Sequence, residues 1–195
     1  MSSELYFIYD SHCPWSYAAL PVVEALQQAQ PELQVHAWHC AHYNGSESVG
    51  FEQMKQAEQQ SDVEFGQGYV RFVDSPKNSV MSANLLSWVE TKQHNKLIPT
   101  LKAIQHAHFV EGNPLGIKID FNELVHDLKL SAPNKVFKEE LSKESEYILS
   151  DVQELQEFMG TTAFPALLLV QGNDATLIDH AAYLANPKRV AELIK

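Results

Sequence analysis

Strand-forming runs lie at the two ends of this 195-residue chain, and residues 46–159 between them read almost entirely as helix. That distribution limits the architecture. The two end segments must find each other to make one sheet, with the middle inserted between them. The first end segment is a βαβ unit. Residues 5–9 are a short apolar and aromatic strand ended by Asp10, Ser11 and His12. Ala19, Val22, Val23 and Leu26 then recur at helical spacing behind Pro14, whose missing N–H suits a first helical turn. Pro21 falls inside this helix and is expected to kink it. Residues 34–39 read as the second strand, and such strand–helix–strand crossovers are right-handed in nearly all proteins.

The middle shows helical periodicity over residues 80–91 and 97–110. Asp120 and Glu123 have the spacing of a capping box that opens a further helix. Ile148, Val152, Leu155 and Met159 make one stripe on a helix that stops at Gly160, a natural residue for a helix end. Residues 66–78, with Gly66, Gly68 and Pro76, are expected to be an irregular loop. Residues 166–170 and 175–178 read as a hairpin across the turn 171–174. Asn186 then caps a final helix that begins at Pro187 and turns Val190, Leu193 and Ile194 inward. The expected fold class is therefore α/β. A mixed βαβ–ββα sheet is built from residues 1–45 and 160–195, and residues 46–159 form an all-helical insertion.

Composition excludes several functions. A formal net charge of −11 with no long run of Lys or Arg argues against nucleic acid and anionic membrane surfaces as partners. No stretch approaches the ~20 apolar residues a membrane span needs. The first ten residues lack the basic and long apolar regions of a secretory signal and read as strand, so a cytoplasmic location is expected. Two cysteines, Cys13 and Cys40, are too few for a disulfide scaffold.

Cys13 sits where the first strand hands over to a helix, facing unpaired N–H groups and the positive end of the helix dipole. Both favour a thiolate, so its pKa is expected below the ~8.5 of a free cysteine. His12 is expected to add positive charge, and the Ser16 hydroxyl lies one turn on, within approach of the sulfur. Phe164-Pro165, directly before a buried strand, is a candidate for a cis bond.

Taken in order, four pieces resemble the DsbA-like members of the thioredoxin superfamily over nearly the whole chain. They are the run from Tyr9 through Cys13-Pro14-Trp15-Ser16 to Tyr17, the kinking Pro21, the segment 107–112, and the segment 159–165. The resemblance implies a thioredoxin fold with Cys13 as the attacking thiol at the C-terminal edge of the sheet. Pro165 would be the cis proline facing it, the Phe164 backbone would pair with a bound peptide or glutathione, and Trp15 would form part of the exposed wall. His12 and Pro14 complete the implied substrate-binding set.

Ser16 departs from the dithiol members of that family, which carry cysteine at both ends of the motif. Without a thiol at Ser16, Cys13 has no partner for the usual internal disulfide. Kappa-class glutathione transferases and hydroxychromene carboxylate isomerases carry Ser-Pro-Tyr-Ser, so this chain shares their last residue and the oxidoreductases' first. Three functions are compatible with that hybrid. One is a monothiol thiol–disulfide oxidoreductase working through glutathione or protein mixed disulfides. The second is a glutathione-dependent isomerase or transferase, and the third is a non-catalytic peptide-binding or chaperone module. Glutathione is the expected co-substrate, and no tightly bound cofactor is expected.

Cys40, at the end of the second strand, is a candidate resolving thiol or a packed side chain; a bridge to Cys13 needs Cα atoms within ~7 Å. His36, His39, Cys40 and His42 resemble a metal cluster, but strand geometry sends His39 to the opposite face from the other three, so no metal is expected. His106 and His108 face differently on their helix, and Trp38 and Trp88 read as core.

Overall fold

The computed structural model describes residues 3–194. Met1, Ser2 and Lys195, which belong to the expected end segments, lie outside the described residues. The first end segment forms β1 (Ser3–Tyr9), α1 (Pro14–Ala29) and β2 (Gln34–His39). The last forms β5 (Ala166–Gln171) and β6 (Asp174–Ile178). They close into one sheet of order β2-β1-β5-β6, with β1 and β2 parallel and the other neighbours antiparallel. Alternation along β1 decides what covers each face. Leu5, Phe7 and Tyr9 join the main core with α1, whereas Ile8 points to the other face and packs with Ala166, Ile148 and Val152.

Ile148 and Val152 belong to α7 (Lys143–Met159), so this helix covers the second face of the sheet. Ser142 caps it by accepting the Ser145 N–H at 3.2 Å, and Gly160 ends it in the left-handed conformation at φ 68°. Its start is clamped to α4 (Val80–Lys92) by Asn84, whose amide donates to Glu140 O at 2.8 Å and accepts from Ser142 N–H at 2.8 Å. Although expected within the insertion, α7 thus completes the sheet's own sandwich.

The remaining insertion comprises α2 (Phe51–Gln60), α3 (Gln67–Val70), α4, α5 (Leu97–Phe109) and α6 (Asn122–Asp127), all in one continuous core with β1, β2 and α1. It is not all helical. A two-stranded antiparallel ladder, β3 (Asn44–Ser48) with β4 (Pro76–Asn78), stands where loop was expected. Every residue of β3 is exposed, so the apolar alternation that betrays a strand is missing. The turn before β4 is organised by Lys77, whose buried Nζ donates to the carbonyls of Phe72 and Ser75 at 2.6 Å and Val73 at 3.1 Å. Burial lowers Lys77 to about 8, so at neutral pH the ammonium stays charged and its donors stay filled.

Segments 66–68 and 110–112 cross backbone to backbone. A Cβ on Gly66 would lie 1.8 Å from Val110 O, and one on Gly68 would lie 2.7 Å from Glu111 O. Only glycine fits either place, and this crossing presses Tyr69 of α3 against Phe109, with ring centroids 5.0 Å apart.

Two local expectations change. Asp120 does not cap a helix with Glu123. It sits in a single 3-10 turn (Lys118–Phe121), and its carboxylate reaches back to the Gly116 and Ile117 N–H groups at 2.9 and 3.1 Å. The C-terminal segment Pro187–Leu193 is 3-10 rather than α, and the Asn186 side chain makes no cap bond; Val190 still buries fully, and the segment lies against α1. Among the described residues no helix is long and apolar enough to cross a membrane.

Candidate active site

The C-terminal ends of β1 and β2 lie together because the strands are parallel, and the segment following β1 leads into α1 at Cys13. Asp10, the first residue beyond β1, organises this edge. Its fully buried carboxylate accepts the N–H groups of His12 (2.9 Å), His42 (2.8 Å) and Tyr43 (3.3 Å) and the Ser79 hydroxyl (2.8 Å). The Asp10 N–H donates to Ser16 Oγ at 3.2 Å. One carboxylate therefore ties the turns after β1 and β2 to the start of α4.

Cys13 is the N-cap residue of α1, with φ −87° and ψ 122°, and its carbonyl accepts the Tyr17 N–H at 3.0 Å. Only 2% of it is exposed. Burial pushes the thiol up to about 11, against the pull of the Ser16 N–H and hydroxyl and the Trp15 N–H; the Asp10 charge adds to the rise. The lowered pKa expected from helix position is therefore overturned in the resting protein, because removing a thiolate from water costs more than these donors return. Ser16 is fully buried and stands where expected, beside the sulfur.

His12 is not the positive neighbour it was expected to be. It is fully buried, and desolvation holds it near 4, so its imidazole is neutral at pH 7. It does not face substrate either: Nε2 lies 3.2 Å from Pro114 O, and the ring lies 4.0 Å from that of His108. With Nε2–H donating to Pro114 O, Nδ1 accepts the Ser11 hydroxyl at 3.0 Å. Ser11 Oγ is in turn 2.8 Å from His39 Nε2, while His39 Nδ1 accepts the Ala41 N–H at 2.9 Å. With Nδ1 accepting, the neutral His39 carries its proton on Nε2 and donates it to Ser11 Oγ. Burial lowers His39 and His108 too.

These neutral imidazoles give a pH-dependent stability. The unfolded chain binds protons on them below about 6.5, the folded chain does not until about 4 at His12, so stability falls as pH drops through that window. The loss is on the order of 3 kcal/mol from His12 alone. Urea unfolding at pH 7 and pH 4.5 measures it; an unchanged midpoint contradicts the neutral assignment, and His12→Gln is expected to flatten the dependence.

Phe164-Pro165 is cis, as expected from the sequence. Ile8 pairs with Ala166, so the register carries Pro165 level with Tyr9, at the same sheet edge as Cys13. Pro14 and Pro165 are buried; Trp15 and Phe164 are half-buried, and His42 is exposed with its ring 4.9 Å from Phe164.

Cys40 packs on the α7 face against the group formed by Ile8, Ile148, Val152 and Ala166, and its N–H donates to Tyr9 O at 2.8 Å. Burial raises its thiol well above the ordinary value, with Asp10 and Cys13 adding to the rise. Both cysteines are unpaired. The histidines expected near it disperse: His36 meets Glu90 at 3.1 Å, His42 meets Glu47 at 2.9 Å, and His39 turns inward to Ser11. Among the described residues, no three His, Cys, Asp or Glu side chains come together as metal ligands.

The structure gives new parts at this edge to Asp10, His39 and His108, which the sequence marked only as a strand end, a metal-ligand candidate and one of two unlike helix positions, and it brings in Tyr43 and Tyr69, which the sequence did not single out. Asp10 had a signal, since an acid at the end of an apolar strand must find donors. Tyr43 and Tyr69 come from other segments and had none.

No family profile matches the chain, and no curated protein matches it by sequence. Solved structures do match. The cytosolic disulfide reductase DsbM from Pseudomonas aeruginosa superposes with a TM-score of 0.81 at 22% identity, covering 98% of this chain and 96% of that one. A structure of DsbM with GSH gives 0.80 at 21% identity over the same shares. A candidate protein disulfide isomerase from Nitrosomonas europaea gives 0.73 at 18% identity, covering 99% of this chain and 95% of that one. Sequence pattern, sheet order, the cysteine at the start of α1 and these superpositions agree: the chain has the DsbA-like thioredoxin fold.

Proposed function

We propose that this protein is a thiol–disulfide oxidoreductase that works through Cys13 alone, by mixed disulfides with glutathione or protein thiols. The observation that carries this reading is Cys13 at the start of α1, bonded by the Ser16 hydroxyl, at the same sheet edge as the cis Phe164-Pro165 bond. Its structural likeness to DsbM, one structure of which contains GSH, supports glutathione as the second thiol.

In this cycle the Cys13 thiolate attacks one sulfur of a substrate disulfide. The Cys13–substrate S–S bond forms, the substrate S–S bond breaks, and the released thiolate takes a proton. A glutathione thiolate then attacks the substrate sulfur bound to Cys13, freeing Cys13 and leaving a substrate–glutathione disulfide. Ser16 holds and donates to the sulfur but cannot resolve the adduct. Cys40, packed and protonated on the far face, is left out of the cycle. Two unpaired cysteines suit a reducing compartment, and the cytosol is the compartment we infer.

The test is exposure to oxidised glutathione followed by intact-mass measurement and peptide mapping. One glutathione on Cys13, removed by reduced glutathione, is the expected result. A Cys13–Cys40 peptide overturns the monothiol cycle. Conjugation of glutathione to an aromatic electrophile without any adduct on Cys13 favours the isomerase or transferase reading, and neither activity leaves a binding module.

A further inference from the structure

Glu90 stands where a carboxylate is doubly disfavoured. It lies in the last turn of α4, at the negative end of the helix dipole, and its side chain is 8% exposed. Lys92, the basic residue of that turn, is two positions on and so faces away from it. Two imidazoles compensate instead. His36 of β2 donates from Nδ1 to Glu90 Oε1 at 3.1 Å. His94, in the 3-10 turn His94–Lys96 that follows α4, brings its Nδ1 to 3.3 Å from Oε2. This second contact is within ion-pair reach but off the line of a hydrogen bond, so Oε2 is buried with no bond made. Each ring thus has its own carboxylate oxygen, and the ring centroids are 5.8 Å apart.

The three residues come from three separate elements, and their place gives the contact its consequence. β2 is an edge strand: β1 pairs with one side of it, and no strand of the described sheet pairs with the other. α4 lies against β2, yet among the described residues no other side-chain hydrogen bond or ion pair joins the two. The polar part of this junction therefore rests on one carboxylate and on whether the imidazoles that meet it are charged. A charged donor roughly doubles the strength of a hydrogen bond to a carboxylate.

The surroundings favour the charged form of His36. From β1, Glu4 acts on His36 through space, and the Tyr6 ring stacks on it with centroids 5.0 Å apart. Trp38, on β2 itself, is the third ring of the group, 6.1 Å away. From α7, which also packs on β2, no charged group is among those acting on His36. On the core side, Glu90 acts on the Tyr9 phenol, which burial keeps protonated. The bond to Glu90 outweighs the burial of the His36 ring and holds its pKa above the ordinary 6.5.

We propose that His36, Glu90 and His94 form a pH-sensitive clasp that fastens α4 and the turn after it to the edge strand β2 while the imidazoles carry protons, and loosens as they lose them. His36 binds its proton more tightly in the folded chain than in the unfolded one. The clasp's contribution is therefore complete below about 6.5 and is lost as pH rises through the folded midpoint. That is the reverse of His12, which costs stability on acidification. The two histidine groups thus limit the folded state from opposite sides of neutrality. The clasp is independent of the chemistry assigned to Cys13.

The test combines ring-proton NMR titration of the histidines, assigned with His36→Gln, and amide exchange of β2 corrected for the intrinsic rate. In the parent protein His36 is expected to titrate above 6.5, and in Glu90→Gln its midpoint moves down. Protection of the β2 amides is expected to fall about tenfold between pH 6 and pH 8 in the parent and to stay level in Glu90→Gln. His94→Gln, a change on an exposed ring, is expected to reduce that fall to about threefold. An unchanged fall in His94→Gln overturns the two-imidazole assignment. Should Glu90→Gln not fold, the parent decides alone: a His36 midpoint at or below 6.5, or β2 protection that does not change with pH, overturns the clasp.

Discussion

Cys13→Ser loses glutathione uptake and disulfide exchange by on the order of a thousandfold or more, while the folded state persists. A serine hydroxyl is a far weaker acid than even a buried thiol, so no nucleophilic anion forms at neutral pH, and oxygen cannot make the mixed disulfide. Serine fits because it is close in size and sits among the Ser16 hydroxyl and the Ser16 and Trp15 N–H groups, which already face this atom. Mixed-disulfide formation measured by mass, beside a urea unfolding curve, checks both halves. Retention of exchange activity in Cys13→Ser would move the chemistry to Cys40 and sink the present assignment. The complementary variant is Ser16→Cys. It restores a thiol one turn from Cys13 on a fully buried position, so oxidation is expected to give an internal disulfide in place of the glutathione adduct.

Asp10→Ala is expected to be the most damaging single change for stability. Three backbone N–H groups and the Ser79 hydroxyl lose their acceptor, and all converge on a residue with no exposed surface. Buried donors left unpaired cost ~1–3 kcal/mol each and do not add fully, so a loss of about 4 kcal/mol or more is expected in urea unfolding. That is comparable to the whole stability of many domains. Asp10→Asn keeps one acceptor oxygen and removes the charge. It should lose less stability and, because the Asp10 charge opposes the Cys13 thiolate, alkylate faster at neutral pH. A slower rate in a folded Asp10→Asn protein would contradict that electrostatic account.

These predictions depend on two kinds of information that the chain encodes differently. The βαβ start and hairpin end are written locally. Apolar runs with turn residues mark β1, β2, β5 and β6, and Pro14 marks the first turn of α1, so strand positions and the place of Cys13 follow from nearby residues. The long helices α4, α5 and α7 are equally legible, because each repeats its apolar positions over three or more turns. The ladder of β3 and β4 is not, since polar residues on an exposed strand leave no period to read. Nor is the 3-10 form of the C-terminal segment, which keeps the apolar positions of a helix and differs only in backbone winding.

The site divides the same way. Cys13, Pro14, Trp15, Ser16, Phe164 and Pro165 are recognisable from short motifs, and the cis bond at Phe164-Pro165 agrees with its sequence context. The state of the thiol is not. A helix start argues for a thiolate, but burial decides for the protonated form, and burial is a property of the folded chain rather than of the motif. His12 likewise reads as a cation by composition and is neutral because burial outweighs the pull of Asp10 and the Pro114 carbonyl towards the charged form; Pro114 and His108, which meet the ring, lie about a hundred residues away. The sequence by itself determined the order of elements and the reacting atom, because periodicity, proline and motif spacing act over a few residues. Only the tertiary structure decided the protonation of that atom and the charge on its neighbours, because desolvation and hydrogen bonding are set by whichever distant segments the fold brings together.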